Sequence, residues 1–205
     1  MNTSDKREQL RPLILSAAES YEKNLQGKVF LYVSGKDFFL LAFDTRNFLH
    51  LTGVSTTLKS GQFYSFALKH KLTVKQIQLK NHTFKEAKNK LDHLSDLYKL
   101  TITDVDIIRD LVTRSCKFRI ALTDCTITVG LNRNENSDIY FPQSLRINDK
   151  IADNSTARES VDFIFCRDVL SKDPLFTNIL FRKPDVKFPE EISAMLSEEL
   201  IDLLI

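Results

Sequence analysis

The sequence predicts an α+β fold in which one antiparallel sheet of about four to six strands collects strands from both ends of the chain. Three observations predict it. Apolar residues recur at helical spacing near the N-terminus, through the middle third and again at the C-terminus, and β-prone runs stand on both sides of the middle third. No internal repeat or low-complexity linker breaks this order. The expected organisation is one domain over residues 1–188, with a helical insertion at about 58–114, followed by a C-terminal helix over 189–205.

Leu10, Leu13, Ile14, Ala17, Ala18, Tyr21 and Leu25 repeat at steps of three and four, behind the capping candidates Thr3, Ser4 and Asp5 and ahead of Gly27. That is an amphipathic helix with a glycine stop. Val29 to Val33 and Phe38 to Phe43 are β-prone runs split by Ser34-Gly35-Lys36-Asp37, the chemistry of a tight hairpin turn. From Gly61 to about Arg114, Phe63, Phe66, Ala67, Phe84, Ala87, Leu91, Leu94 and Leu97 follow helical spacing with Lys on the other faces. Strands resume with "KFRIALTD", where Phe118, Ile120 and Leu122 alternate, and with "CTITVGL". "NRNENSD" reads as an exposed hairpin loop, and "IYFPQSLRI", "SVDFIFCRDV" and "TNILFR" read as further strands. Pro142 inside the first of these argues for an edge or a bulge. "INDKIADNSTARES" is polar enough for a mobile loop. In the tail, Ile192, Met195, Leu196, Leu200, Leu203 and Leu204 make one apolar stripe that packs on the body or on a partner.

Composition removes several function classes. A chain of 205 residues with 42% hydrophobic and 27% charged residues folds, and a formal net charge of +2 leaves attraction to nucleic acid to local clusters. Cys116, Cys125 and Cys166 are odd in number and form no CxxC pair, so they read as reduced, small hydrophobes. The polar N-terminus carries no signal-peptide run, and nothing approaches the roughly 18 apolar residues that span a bilayer. No membrane association and a cytoplasmic location are expected. There is no GxGxxG, GxxxxGK[ST] or GxSxG string. His70, His82 and His93 lie in Lys-rich helical stretches without zinc-site spacing, and Asp104 and Asp106 form a lone DxD that reads as a helix cap. Neither a metal nor a cofactor is expected.

The stretch Phe48-Leu49-His50-Leu51-Thr52-Gly53 stands apart, because it sets an imidazole among aliphatic and aromatic neighbours beside a hydroxyl and a glycine. Two readings fit. In the first, His50 is a satisfied core residue. In the second, Phe48, Leu49 and Leu51 hold the imidazole at the end of an element while Gly53 turns the chain and leaves room for a ligand. Such a group can move protons near neutrality.

The N-terminal helix, the hairpin "VFLYVSGKDFFLLAF", the string "NFLHLTGV" and the later strands "YFPQSLR", "SVDFIFCRD" and "NILFRK" resemble a phage-associated family of the Barnase, EndoU, colicin and RelE-like nuclease superfamily. The likeness covers residues 10 to 183, and its most specific part is F-x-HLTG, followed by P-x-SL. The resemblance implies a helical N-terminus, a four-stranded antiparallel sheet and a metal-independent endoribonuclease of phage or mobile-element origin. RNA is then the substrate, cleaved by attack of a ribose 2′-hydroxyl on the adjacent phosphate. Carried onto this chain, His50 becomes the general acid or base and Thr52 a phosphate ligand beside it. Ser144 supplies a second hydroxyl, Arg167 the phosphate clamp, and Tyr140 stacks on a base or assists proton transfer. Arg146 and Arg119 are the further substrate-binding candidates. This reading expects His50, Ser144 and Arg167 to converge on one cleft. The alternative is a non-catalytic module on the same fold, in which the C-terminal helix or the Lys-rich middle helices contact a protein or a nucleic acid; an inhibitor protein, or self-association through the C-terminal helix, is the further partner expected.

Overall fold

The computed structural model describes residues 2–112, 117–135, 137–148 and 157–204. Cys116 and residues 149–156, most of the stretch expected to be a mobile loop, lie outside them. The chain opens with α1 (Thr3–Asn24), capped not by Thr3, Ser4 or Asp5 but by Asn2, whose side chain accepts from the Asp5 amide while Asp5 returns the bond. Pro12 sits inside this helix at an exposed position, where its missing amide removes a bond from the solvent side only. The hairpin β1 (Lys28–Ser34) and β2 (Asp37–Ala42) follows as the sequence predicts, turning through Gly35 at φ 56°. Next come α2 (Phe48–Thr52), α3 (Ser60–Leu68) and α4 (Phe84–Leu94). A 3-10 segment at Leu97–Thr101 closes the helical part.

Strands then run as β3 (Asp106–Val112), β4 (Lys117–Thr123), β5 (Ile127–Arg133), β6 (Ile139–Ile147), β7 (Ala157–Ser160), β8 (Phe163–Asp168) and β9 (Asn178–Arg182). Among the described residues they form one nine-stranded sheet, ordered β7-β3-β4-β5-β6-β2-β1-β8-β9. This corrects the expected four to six antiparallel strands in both number and direction, because β2 pairs with β6 in parallel. Ile107, Ile108 and Leu111 fit a helical stripe as well as a strand, which hid β3 inside the segment read as helical. The parallel pair joins strands about a hundred residues apart, so no local pattern announces it.

The stretch "SVDFIFCRDV" is not one strand. It splits into β7 and β8, joined by Val161 and Asp162 alone, yet β7 is at one end of the strand order and β8 near the other. The sheet must therefore curl until its ends meet. Contacts across the join bear this out: the Ser34 hydroxyl donates to Ser160 O at 2.8 Å, Asp162 N donates to Val33 O at 2.8 Å, and Val161 N donates to Val105 O at 2.9 Å. Arg109 bridges the same gap, with Nε on Glu159 at 2.8 Å and Nη2 on Asp37 at 3.2 Å.

The main core fills the inside of this curl and the helices against it, from Leu10 and Tyr21 through Phe30, Tyr32 and Phe48 to Leu145. Fully buried Tyr32 donates its hydroxyl to Leu100 O at 3.0 Å, tying β1 to the helical part. A second core lies on the other side of β1 and β8, where Val29, Leu31, Val33, Phe163 and Phe165 meet Ile192, Leu196, Leu200 and Leu204. The tail thus packs on the body. It does so as a 3-10 segment (Glu190–Met195) and a short α5 (Glu198–Asp202) in place of one continuous helix.

Candidate functional site: a cleft beside the end of α2

The parallel contact between β2 and β6 is short, pairing Leu40 with Ile139 and Leu41 with Tyr140. Pro142 follows at once, without an amide hydrogen to continue a ladder, and the β5 register slips beside it, from Leu131 opposite Pro142 to Gly130 opposite Ser144. The bulge expected at this proline is present. Beyond it α2 and α4 pack against β6, and a cleft of about 780 Å³ opens between α2, the start of α3 and the Phe141-Pro142-Gln143 bulge.

One turn of helix positions His50 on the wall of this cleft. Phe48 anchors the turn, buried and edge-on to Tyr21 at 5.4 Å and to Tyr64 at 5.2 Å. Tyr21 in turn donates its hydroxyl to Asp44 O at 3.0 Å. Leu51 is buried and Gly53 ends the turn in the left-handed region at φ 72°. His50 itself is exposed. The apolar neighbours therefore fix the turn, while the imidazole faces solvent.

The opposite wall has positive character. Lys59 stands at the start of α3, and no side chain caps that helix. The first helical bond runs from Phe63 N to Lys59 O, so the amides of Ser60, Gly61 and Gln62 have no helical acceptor beside the cleft. Arg46 lies on the rim, but its Nε is bonded to Asp44 at 2.8 Å. That bond holds the Asp44 carboxyl below its ordinary range and raises the Arg46 pKa.

The structure does not bring the other expected residues together with His50. Thr52 is fully buried, donates its hydroxyl to Leu49 O at 2.7 Å and accepts from Val54 N at 3.2 Å. It locks the end of α2 through these two backbone bonds. Ser144 is half-buried on β6, next to the cleft-lining Gln143 but outside the wall. Tyr140 is also half-buried, packed edge-on against Phe39 at 5.7 Å under the Arg133 guanidinium at 5.6 Å. Arg119 is exposed on β4, two strands from β6. Arg167 is the largest departure. It follows Cys166, which faces the main core, so strand alternation turns Arg167 to the other side, over the Phe176 ring at 5.5 Å. It also lies on β8, three strands from β6.

Two residues outside the sequence-derived set, His82 and Lys90, meet beside Gly53, where the charge of Arg146 also acts on them. Lys90 Nζ is 3.5 Å from His82 Nε2. Burial, with the charges of Lys90 and Arg146, lowers the His82 pKa; burial, with Arg146, lowers that of Lys90. One signal for Lys90 was present in the sequence, since it sits three residues after Ala87 on the helix face that also buries Leu91 and Leu94. Among the described residues no group of three His, Cys, Asp or Glu side chains could hold a metal ion. No helix there is long and apolar enough to cross a membrane.

Residues 13–183 match a model for nucleases of the Barnase, EndoU, colicin and RelE-like kind. The chain belongs to that model's family, described as phage-Barnase-EndoU-ColicinE5/D-RelE like nuclease4. Comparison with curated proteins and with solved structures gives no match.

Proposed function

We propose that the cleft beside α2 cleaves RNA by attack of a 2′-hydroxyl on the adjacent phosphate, with His50 moving the proton. The observation that carries this reading is the exposed imidazole of a helix turn held by buried Phe48 and Leu51, set into a cleft of a chain from a nuclease family. Four requirements meet there. The imidazole accepts or returns a proton near neutral pH. Lys59 and the uncapped amides at the start of α3 supply positive charge for the phosphorane-like transition state. Phe141 offers an aromatic face for a base, and the cleft is wide enough for a nucleotide.

Thr52 and Arg167 take no part in this reading. Thr52 sets the geometry of the turn that presents His50, and Arg167 belongs to the opposite side of the sheet. Wild-type and His50→Ala protein incubated with total cellular RNA in excess EDTA provide the test. Cleavage by the wild type alone, leaving 2′,3′-cyclic phosphate ends, is expected. Equal cleavage by the two proteins removes His50 from the chemistry.

A further inference from the structure

The two walls of the cleft differ in chemistry. All the charged and titratable groups that line it, His50 and Lys59 among them, come from α2, the loop before it and the start of α3. The facing wall, from β6 and the end of β5, carries none and consists of Asn134, Phe141, Pro142 and Gln143. Such a wall has no cation for a phosphate, but it has a ring face and two carboxamides for a base. Backbone pairing fixes their positions. Phe141 pairs with Asn132 across the ladder, and Asn134 is two residues beyond Asn132, which makes it the diagonal neighbour of Phe141 on the same face. Gln143 belongs to the bulge. Leu131 is opposite Pro142 and Gly130 opposite Ser144, so no residue of β5 is opposite Gln143, and the extra residue of a bulge is re-aimed out of the ladder. Pro142 and Leu145 are buried before and after it, while Gln143 is exposed, as is Asn134.

The carboxamides of Asn134 and Gln143 are not used by the fold. Neither makes a side-chain hydrogen bond among the described residues, whereas Asn47 across the cleft accepts from Asp44 N at 3.0 Å. A carboxamide presents an acceptor and a donor side by side in one plane, the pattern that base edges also carry. We propose that Asn134 and Gln143 read the edge of an unpaired base stacked on Phe141, which makes the cleft selective for single-stranded RNA with one preferred base beside the cut; this rests on the nuclease reading above. The nucleotide then lies across the cleft, its phosphate toward His50 and Lys59 and its base toward the uncharged wall. A duplex does not fit this arrangement, because its bases are stacked on both faces and paired along the edge that the carboxamides would meet. A base with the wrong edge leaves a carboxamide group facing a like group, donor to donor or acceptor to acceptor, and that mismatch is the source of the selectivity.

A pool of single-stranded RNA oligonucleotides of random sequence tests this. Full-length wild type, Asn134→Ala and Gln143→Ala, each first shown to be folded by thermal melting, cut the pool to low conversion, and the new ends are sequenced. The wild type is expected to prefer one base over the others by about tenfold at one position flanking the cut. The variants are expected to flatten that ratio, which a merely slower or less stable enzyme would leave unchanged. A preferred oligonucleotide annealed to its complement is expected to be cut about tenfold more slowly than the free strand. Cleavage without base preference, a preference that survives in both variants, or equal cutting of the duplex overturns the base reading and leaves the chemistry at His50 standing. If the wild type cuts nothing, fluorescence anisotropy with 2′-O-methyl oligoribonucleotides that differ in one base makes the same comparison. Tighter binding of one base that is lost in the variants then supports the base reading and overturns the catalytic one. Equal binding of all four bases overturns both.

Discussion

Gly53→Ala tests the close approach of α2 and α4. The backbone at Gly53 is left-handed, at φ 72° and ψ 9°, and holding an L-residue there costs roughly 1 kcal/mol. The new methyl adds a second cost. At 2.9 Å from Lys90 Cδ it overlaps a side-chain stem that can swing away, and at 3.4 Å from Ala87 Cα it presses on helix backbone that yields less. Overpacking of this kind adds roughly another 1 kcal/mol. A total of about 2 kcal/mol corresponds to a fall in Tm of about 4–8 °C for a chain of this length. Gly27→Ala is the matched control, since Gly27 is also left-handed at φ 77° but has nothing within 4 Å of the added Cβ. It carries the backbone cost alone, about 1 kcal/mol or about 2–4 °C. Thermal unfolding of the two variants by circular dichroism separates the terms. Equal falls in Tm would refute the argument that Gly53 is required by the contact with α4.

Two further outcomes follow from the same structure. His82 has a folded pKa below its ordinary 6.5, through burial and the charges of Lys90 and Arg146, against a smaller upward pull from Glu86. The unfolded chain therefore binds the proton more readily, so stability is fully present above pH 6.5 and is lost as pH falls toward the folded value. Melts of the wild type and His82→Asn from pH 7.5 to pH 5 should show a steeper decline in the wild type; parallel curves would contradict the depressed pKa. Truncation after Phe188 removes Ile192, Leu196, Leu200 and Leu204 from the face of β1 and β8. Burying each is worth about 1.5–3 kcal/mol, so the sum approaches the whole stability of a typical domain. Light scattering should find the truncated protein aggregated, and a monodisperse form that melts like the full chain would show that the tail covers nothing essential.

The sequence by itself determined the parts of this protein governed by neighbours in the chain. The β1–β2 turn at Gly35, the amphipathic α1, the irregularity at Pro142 and the turn of the chain at Gly53 all follow from local backbone preferences and apolar spacing, which act over a few residues. The family likeness was legible for the same reason, since "FLHLTG" is contiguous. The tertiary structure alone decided what depends on distant partners. Whether Ile107, Ile108 and Leu111 formed a helix or a strand was settled by β4 and β7 pairing on either side. Strand alternation and the curl of the sheet sent Arg167 to the far side of the sheet from the main core, although its sequence neighbourhood looked suited to a phosphate clamp. His82 and Lys90 read in the sequence as ordinary members of a solvated, Lys-rich helix. They became a cationic cluster only because α4 docks on Gly53 beside β6, a long-range contact whose energy is carried by packing and not by any pattern along the chain.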